Sequence, residues 1–519
     1  MKRRDFLKAG SASAISVPVL LNGLSLNILP KAGLLNYFNL DTDKVLVLIQ
    51  LQGGNDGLNT VIPLTEYDKL ANVRSNIIIP DNSVLKLNDD VGLHPSMTGL
   101  KSLWDNARLS LIHSAGYPNQ NRSHFRSTDI WTSASDANEF ESRGWLGRFF
   151  DTQYDNYPEG FPNSETPDPI AITMGYILSE TCQGMAANYS LSVTDPFGIS
   201  PLLQGQGSNT PDEPYGWELE FLRQAIASTN AYGDVIKNAA NLGSNMVTYP
   251  DGNNLAAQLK NVALLISGGL QTKVYVCSIG GFDTHAAQVV SGDPSTGIHA
   301  NLLEQLSSAI TAFQQDLQAQ GLEERVVGMT FSEFGRQIAS NFSDGTDHGT
   351  AAPMFVFGSC ISESIHGSNP EIPETPENQE GVAMQNDFRN IYGSILQDWF
   401  QVPEEEIRNL IFEDYLHMNI VKDCSKPVAT TTPENLNFEV QAYPNPFTSD
   451  VVLRFTTRKE RVQLALYGTL GEKIETIFDR TLSEGSHEIR HNGSKLPPGN
   501  YYYRLQVGDQ QVTKLVIKQ

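Results

Sequence analysis

From Val45 to Leu51 the chain reads Val-Leu-Val-Leu-Ile-Gln-Leu, an almost unbroken apolar run. A run without polar alternation predicts a strand buried on both faces, as in the middle of a parallel sheet covered by helices. It stops at Gly53-Gly54, where the backbone can turn sharply and approach another group, and then presents Asp56. Similar runs recur at 107–113, 273–279, 325–331 and 354–358, and helical periodicity occupies 300–320 and 387–399. This alternation predicts an α/β fold over about residues 41–420. The stretch 150–250, rich in Pro, Asn, Gly and Ser, breaks the rhythm and reads as an insertion or cap. Trp131 and Trp145, in helical surroundings, read as core.

Ligands of open α/β sheets lie outside the carboxyl ends of the strands, so the polar clusters that follow these runs are where chemistry is expected. The first run is followed by Asp56, the third by Asp283 and His285 after a second Gly-Gly, and the fourth by Glu333; His348 precedes the fifth. Carboxylates gathered at one sheet edge repel unless a cation or proton intervenes. A mixed Asp, Glu and His set suits Zn²⁺ or Mn²⁺. The expected ligands of one or two divalent ions are therefore Asp56, Asp283, His285, Glu333 and His348. Taken singly, two of these have a plainer reading: Asp56 as a turn former, and His348, within Asp347-His348-Gly349, as part of an Asx-turn loop. Asp283 and His285 face the same side if their segment is extended.

After the second run, residues 114–129 form a loop leading into a helix. A serine at a helix start can be a metal-activated nucleophile or only an N-cap, and Ser123 fits either role. Arg126, three residues on, shares its helical face and is the candidate clamp for an anionic oxygen. His124 is the rival ligand if Ser123 merely caps.

The ends of the chain differ from its middle. Arg3 and Arg4, then Phe6, Leu7 and Lys8, precede an apolar stretch over 9–29, and residues 426–435 form a Pro/Thr-rich linker. Beyond the linker the apolar period becomes two, with short strands predicted at 451–455, 462–467, 487–490, 501–505 and 512–517, enough for a small antiparallel sandwich. With 36 Lys+Arg against 59 Asp+Glu the net charge is −23, which argues against a nucleic-acid partner. Four widely spaced cysteines leave room for one or two disulfides and encode no zinc knuckle. No run is long and clean enough for an integral membrane span in the mature protein.

Several of these segments resemble known families. The start, over residues 1–30, resembles a twin-arginine export signal. Tyr443-Pro-Asn-Pro-Phe447, Leu466-Tyr467 with Leu470-Gly471, Leu496-Pro-Pro-Gly-Asn-Tyr501 and Lys514-Leu-Val-Ile-Lys518 resemble the C-terminal sorting domain of the type IX secretion system of Bacteroidota, here over 441–519 with a linker at 421–440. Gln52 to Asn59, Asn121 to Phe125, Gly281 to His285, and Ser332 to Arg336 with Asp347-His348-Gly349 resemble the secreted bacterial "domain of unknown function 1501" family. That family is similar in motif order to the alkaline phosphatase and sulfatase superfamily. The resemblances imply an alkaline-phosphatase-like sheet with helices on both faces, followed by a small all-β sandwich. They imply passage through both export machineries, to the periplasm and then the cell surface or medium. The implied activity is metal-dependent hydrolysis of a phosphate or sulfate ester, on an anionic small molecule or a glycan. The spacing Asp283-x-His285 and the Ser332-Glu333 pair depart from the superfamily pattern. These departures favour the competing reading, a cell-surface binding or assembly protein that keeps the fold without turnover.

Overall fold

The computed structural model describes residues 43–199, 229–362, 364–422, 424, 441–457, 460–468, 473–483, 485–507 and 510–519, with two short paired strands at Val19–Leu21 and Leu24–Leu26. The twin arginine and the linker residues 426–435 lie outside the described residues. Two compact units divide the chain, at residues 1–427 and 428–519.

The first unit is built on a nine-stranded mixed sheet. Its strands are β1 (Val45–Leu51), β2 (Leu109–Gly116), β3 (Ala171–Met174), β4 (Ser190–Val193), β5 (Val274–Ile279), β6 (Val326–Ser332), β7 (Ala352–Phe357), β8 (Ile365–His366) and β9 (Asn386–Asp387). They lie in the order β8-β2-β7-β6-β1-β5-β3-β4, with β9 also against β2. β1 sits at the centre between parallel neighbours β5 and β6, and β7 alone among these strands runs antiparallel. Consequently β1, β2, β5 and β6 all end at the same edge of the sheet.

The unbroken apolar run of β1 is explained by its two faces. Val45, Val47 and Ile49 pack with helices α4 (Asn254–Ser267) and α5 (Ile298–Ala319), whereas Leu46 and Leu48 pack on the other side with α2 (His124–Ser133), α3 (Trp145–Gln153) and α6 (Phe388–Trp399). Burial of every position on a strand requires helices on both faces, and both are present. Trp131, Trp145 and Trp399 lie in the second of these cores.

Within 150–250 the structure adds what composition does not signal. β3 and β4 extend the sheet beyond β5, and a helix over 229–242 contributes Ile236, Ala239 and Ala240 to the first core; residues 200–228 lie outside the described residues. Each of these strands has only four residues, too few to register as a periodic run. One disulfide joins Cys360 and Cys424, while Cys182 and Cys277 are free thiols in the core.

In the second unit, β10 (Gln441–Tyr443), β11 (Asp450–Thr457) and β14 (Gly485–Asn492) form one antiparallel sheet. β12 (Glu460–Tyr467), β13 (Lys473–Leu482), β15 (Gly499–Val507) and β16 (Gln510–Lys518) form another, in the order β13-β12-β15-β16. Alternate residues such as Val451, Leu453, Val462, Leu464, Tyr503 and Leu505 make its core. β13 is an edge strand with mostly exposed side chains, so its sequence carries no clear period.

Candidate metal centre

The loops that leave β1, β5 and β6 pack so tightly that glycine is required between them. Gly53 and Gly54 have φ of +113° and +80°, and a Cβ added to Gly53 would stand 2.4 Å from the backbone nitrogen of Asp283. At Gly54 it would meet the Phe334 ring at 2.2 Å. One buried side chain ties these loops together. Arg336 donates from Nε to the Gly54 carbonyl (2.8 Å), from Nη1 to that of Thr346 (2.9 Å), and from Nη2 to those of Phe282 (3.0 Å) and Gly53 and to Asp283 Oδ1 (2.7 Å).

Three imidazoles converge on the carboxylate so held. His285 Nε2 lies 3.1 Å and His348 Nε2 3.2 Å from Asp283 Oδ1, and His124 Nε2 lies 3.5 Å from Oδ2. Donor atoms of His124, Asp283 and His348 all fall within 4.8 Å of one another. Each ring's other nitrogen faces an oxygen acceptor: His285 Nδ1 meets Asp347 Oδ1 (2.8 Å), His348 Nδ1 the Arg122 carbonyl (2.9 Å), and His124 Nδ1 Glu333 Oε1. His348 Nε2 also faces an acceptor, Asp283 Oδ1 at 3.2 Å, so its ring finds a partner in either tautomer; with the proton on Nδ1, each Nε2 offers a lone pair to a cation.

That tautomer has a consequence at the centre. His285 Nε2 and His348 Nε2 are 2.9 Å apart, two acceptors facing each other beside a carboxylate. A cation relieves such repulsion. An ion bound at about 2.0–2.1 Å spaces neighbouring donors by roughly 3 Å, close to the triangle formed by these two nitrogens and Asp283 Oδ1. Metal-bound histidines characteristically donate their second N–H to a carboxylate or carbonyl, and all three rings here have such an acceptor at Nδ1. The His and Asp donors therefore fit a divalent cation.

The charges around the cluster agree with this. Partial burial pushes the Asp283 carboxyl up, but hydrogen bonds from Arg336 and His348 and the charges of Arg336 and His285 outweigh it, leaving Asp283 below its ordinary range. Burial foremost pushes His348 down, which favours the neutral ring that a metal needs.

Of the residues expected from sequence, Asp283, His285 and His348 meet at this point. Thr284 between the first two is buried against Gln288, so the expected alternation holds outside a regular strand. Glu333 stands one step back, accepting from the Gly53 amide (3.0 Å) and holding His124. His124, the rival ligand, stands with Asp283 and His348, their donor atoms within 4.8 Å of one another. Asp56 is elsewhere: it is wholly buried, with Arg74 Nη1 at 3.1 and 3.0 Å from its two oxygens and Gln288 Nε2 at 2.7 Å. Burial would raise its pKa, yet the charges of Arg74 and His299 and the hydrogen bonds from Gln288 and Arg74 hold it below the ordinary range. Its lone pairs are engaged by protein, which corrects the reading of Asp56 as a ligand.

Ser123 is the exposed N-cap of α2, and its side chain makes no capping hydrogen bond. Arg126 turns from the cluster, donating to the carbonyls of Asp136 (3.2 Å), Ala137 (3.3 Å) and Glu139. This corrects its reading as an oxyanion clamp, since the guanidinium serves a loop. On the same helix His124 and Thr128 face Glu333, Thr128 Oγ1 lying 3.5 Å from Oε2. Asp347, Arg336 and the Arg122 carbonyl were not assigned roles from sequence; the Asp347-His348 pairing beside a His was the one signal for the first of them. Of these residues, His124, Asp283, Thr128 and Glu333 line a cleft of about 1080 Å³.

Residues 254–399, which carry Asp283, His285 and His348, match the family described as "Protein of unknown function (DUF1501)", and residues 441–519 match the "Secretion system C-terminal sorting domain". The chain carries a DUF1501 domain and a sorting domain. The sorting domain implies an export machinery and secretion to the cell surface or medium. No helix among the described residues is long and apolar enough to cross a membrane. No curated protein matches the chain. Among solved structures it is similar to the phosphonate monoester hydrolase SpPMH from Silicibacter pomeroyi, at 9% identity and a TM-score of 0.31, over 91% of this chain and 88% of that one. It is similar to a protein in the alkaline phosphatase superfamily from Vibrio parahaemolyticus, at 9% identity and 0.31, over 91% and 81%. A third is the PsFucS1 sulfatase from Pseudoalteromonas sp., at 10% identity and 0.30, over 88% and 85%.

Proposed function

We propose that this DUF1501 protein is an exported, metal-dependent hydrolase of phosphate or sulfate esters. One observation carries the reading: three imidazoles, each anchored through Nδ1, turn their Nε2 atoms on a single carboxylate. His124, Asp283, His285 and His348 would hold the ion, and the donor chemistry suits zinc or manganese. When bound, such an ion acts as a Lewis acid on an ester oxygen and lowers the pKa of an attacking hydroxyl. The remaining work is positioning. Arg336 holds the Asp283 carboxylate, and Asp347, Glu333 and the Arg122 carbonyl fix the three rings. Ser123, adjacent to His124 and with a hydroxyl not spent on capping, is the proposed attacking group. A twin-arginine route to the periplasm, followed by the sorting domain's own route, is the proposed path of export.

The test pairs metal analysis with hydrolysis of aryl phosphates and sulfates by the full chain. We expect bound metal and turnover, with both lost in Asp283→Ala. Absence of bound metal sinks the proposal. A second reading, an exported binding or assembly protein with a structural ion, draws support from the absence of Ser123 and Arg126 from the cleft lining. Metal uptake without hydrolysis of any substrate would favour it.

A further inference from the structure

The cleft beside the cluster is lined in a way that suits one kind of substrate body. Gln50, Gln52, Asn254 and Asn261 line it with side-chain amides that have no protein partner among the described residues. Phe125 and Tyr176 also line it, and they are 87% and 91% exposed. Among the described residues the lining holds no Lys or Arg, while Asp129 and Glu180 add two carboxylates to Asp283 and Glu333. Arg336, the cation nearest the cluster, is buried and already bonded to four carbonyls and Asp283.

Each feature selects. Primary amides donate and accept, so they match hydroxyl groups, which do the same. Exposed aromatic rings on a cleft wall offer flat apolar faces to the C–H faces of sugar rings, at small entropic cost. Asp283 is paired with Arg336 and Asp129 lies 3.9 Å from Arg126, but Glu180 and Glu333 have no Lys or Arg partner among the described residues, and with no cation in the lining the wall disfavours additional negative charge on the substrate. A cation at the cluster can neutralise one anionic ester but leaves nothing for a second.

We infer that the cleft binds an uncharged oligosaccharide body that carries a single anionic ester, presented to the His-Asp cluster. This rests on the hydrolase reading for the ester; the preference for a neutral body is a property of the cleft and is measured by binding alone. The full chain, with and without added Zn²⁺, is titrated against an array of neutral oligosaccharides of hexose, pentose and N-acetylhexosamine units. The same array carries these series with one sulfate, and polysulfated or uronate-rich chains. Binding of neutral or singly sulfated members is expected, at least about tenfold tighter than that of the polyanions. Tyr176→Ala and Asn261→Ala should each weaken it by about tenfold without changing bound metal. Equal or tighter binding of polyanions, no binding of the neutral and singly sulfated series, or variants that bind as wild type does would each overturn the inference. Binding of the neutral series by a chain that takes up no metal would overturn the hydrolase reading and leave this one standing.

Discussion

Replacing Arg74 by Met removes the counter-charge from a carboxylate that has no access to water. Asp56 is 1% exposed, and Arg74 also donates to Asn59 Oδ1 (3.0 Å) and to the carbonyls of Gln337 (2.8 Å) and Ile338 (3.0 Å). Breaking a buried ion pair from one side costs about 3–5 kcal/mol, most of it the stranded charge. Unfolding entropy is about 2.1 cal/mol/K per residue, so for a unit spanning residues 1–427 this cost lowers the melting midpoint by roughly 3–6 °C. Arg74→Met with Asp56→Asn removes the charge as well and should recover more than half of the loss. Calorimetric melts of the full chain at pH 7, following the transition of the first unit, measure both. Metal content is read on the same samples and should be unchanged in both variants. A midpoint within about 1 °C of wild type in the single variant would refute the ion-pair argument. Loss of bound metal at an unchanged midpoint would return Asp56 to the metal site.

Three other outcomes are expected. Asp347→Asn, which alters the acceptor shared by His285 and Asn341, should weaken metal affinity by about 10- to 100-fold while Asp283→Ala abolishes binding, both read by metal titration. Burial holds His94 down to about 3 and His113 and His299 down to about 4, so between roughly pH 6.5 and pH 4 the unfolded chain binds more protons than the folded one. Stability should therefore fall as pH is lowered through that window, and a melting midpoint that stays flat from pH 7 to 4.5 would contradict it. Reducing Cys360–Cys424, which closes a separation of 64 residues, should cost up to about 4 kcal/mol, seen as a lower midpoint with reductant than without.

Much of this protein is legible along the chain. Where all or all but one of a strand's positions are buried, the demand is written into nearly every residue, so β1, β5 and β6 declare themselves as apolar runs within a residue or so of their observed ends. Their common direction then brings Asp283, His285 and Glu333 to one edge without further information. Gly53-Gly54 is equally local, since its positive φ values exclude most side chains. What sequence order could not assign was that Asp56 stands outside the cluster while His124, a ligand expected only if Ser123 merely caps, stands in it. Both follow strand ends, and the decision rests on Arg74, which the fold delivers to Asp56 and neutralises it there. Helix phase decided the rest of that loop. With about 100° per residue, a helix that turns His124 and Thr128 to Glu333 carries Arg126 about 200° away from His124, so a shared face with Ser123 does not make it a face toward the cluster. Arg336 reads as one more polar residue in a row, and only packing shows that its five donors hold together the loops that make the site. Apolar periodicity reports whether a residue is buried; which partner meets it there is a property of the folded chain.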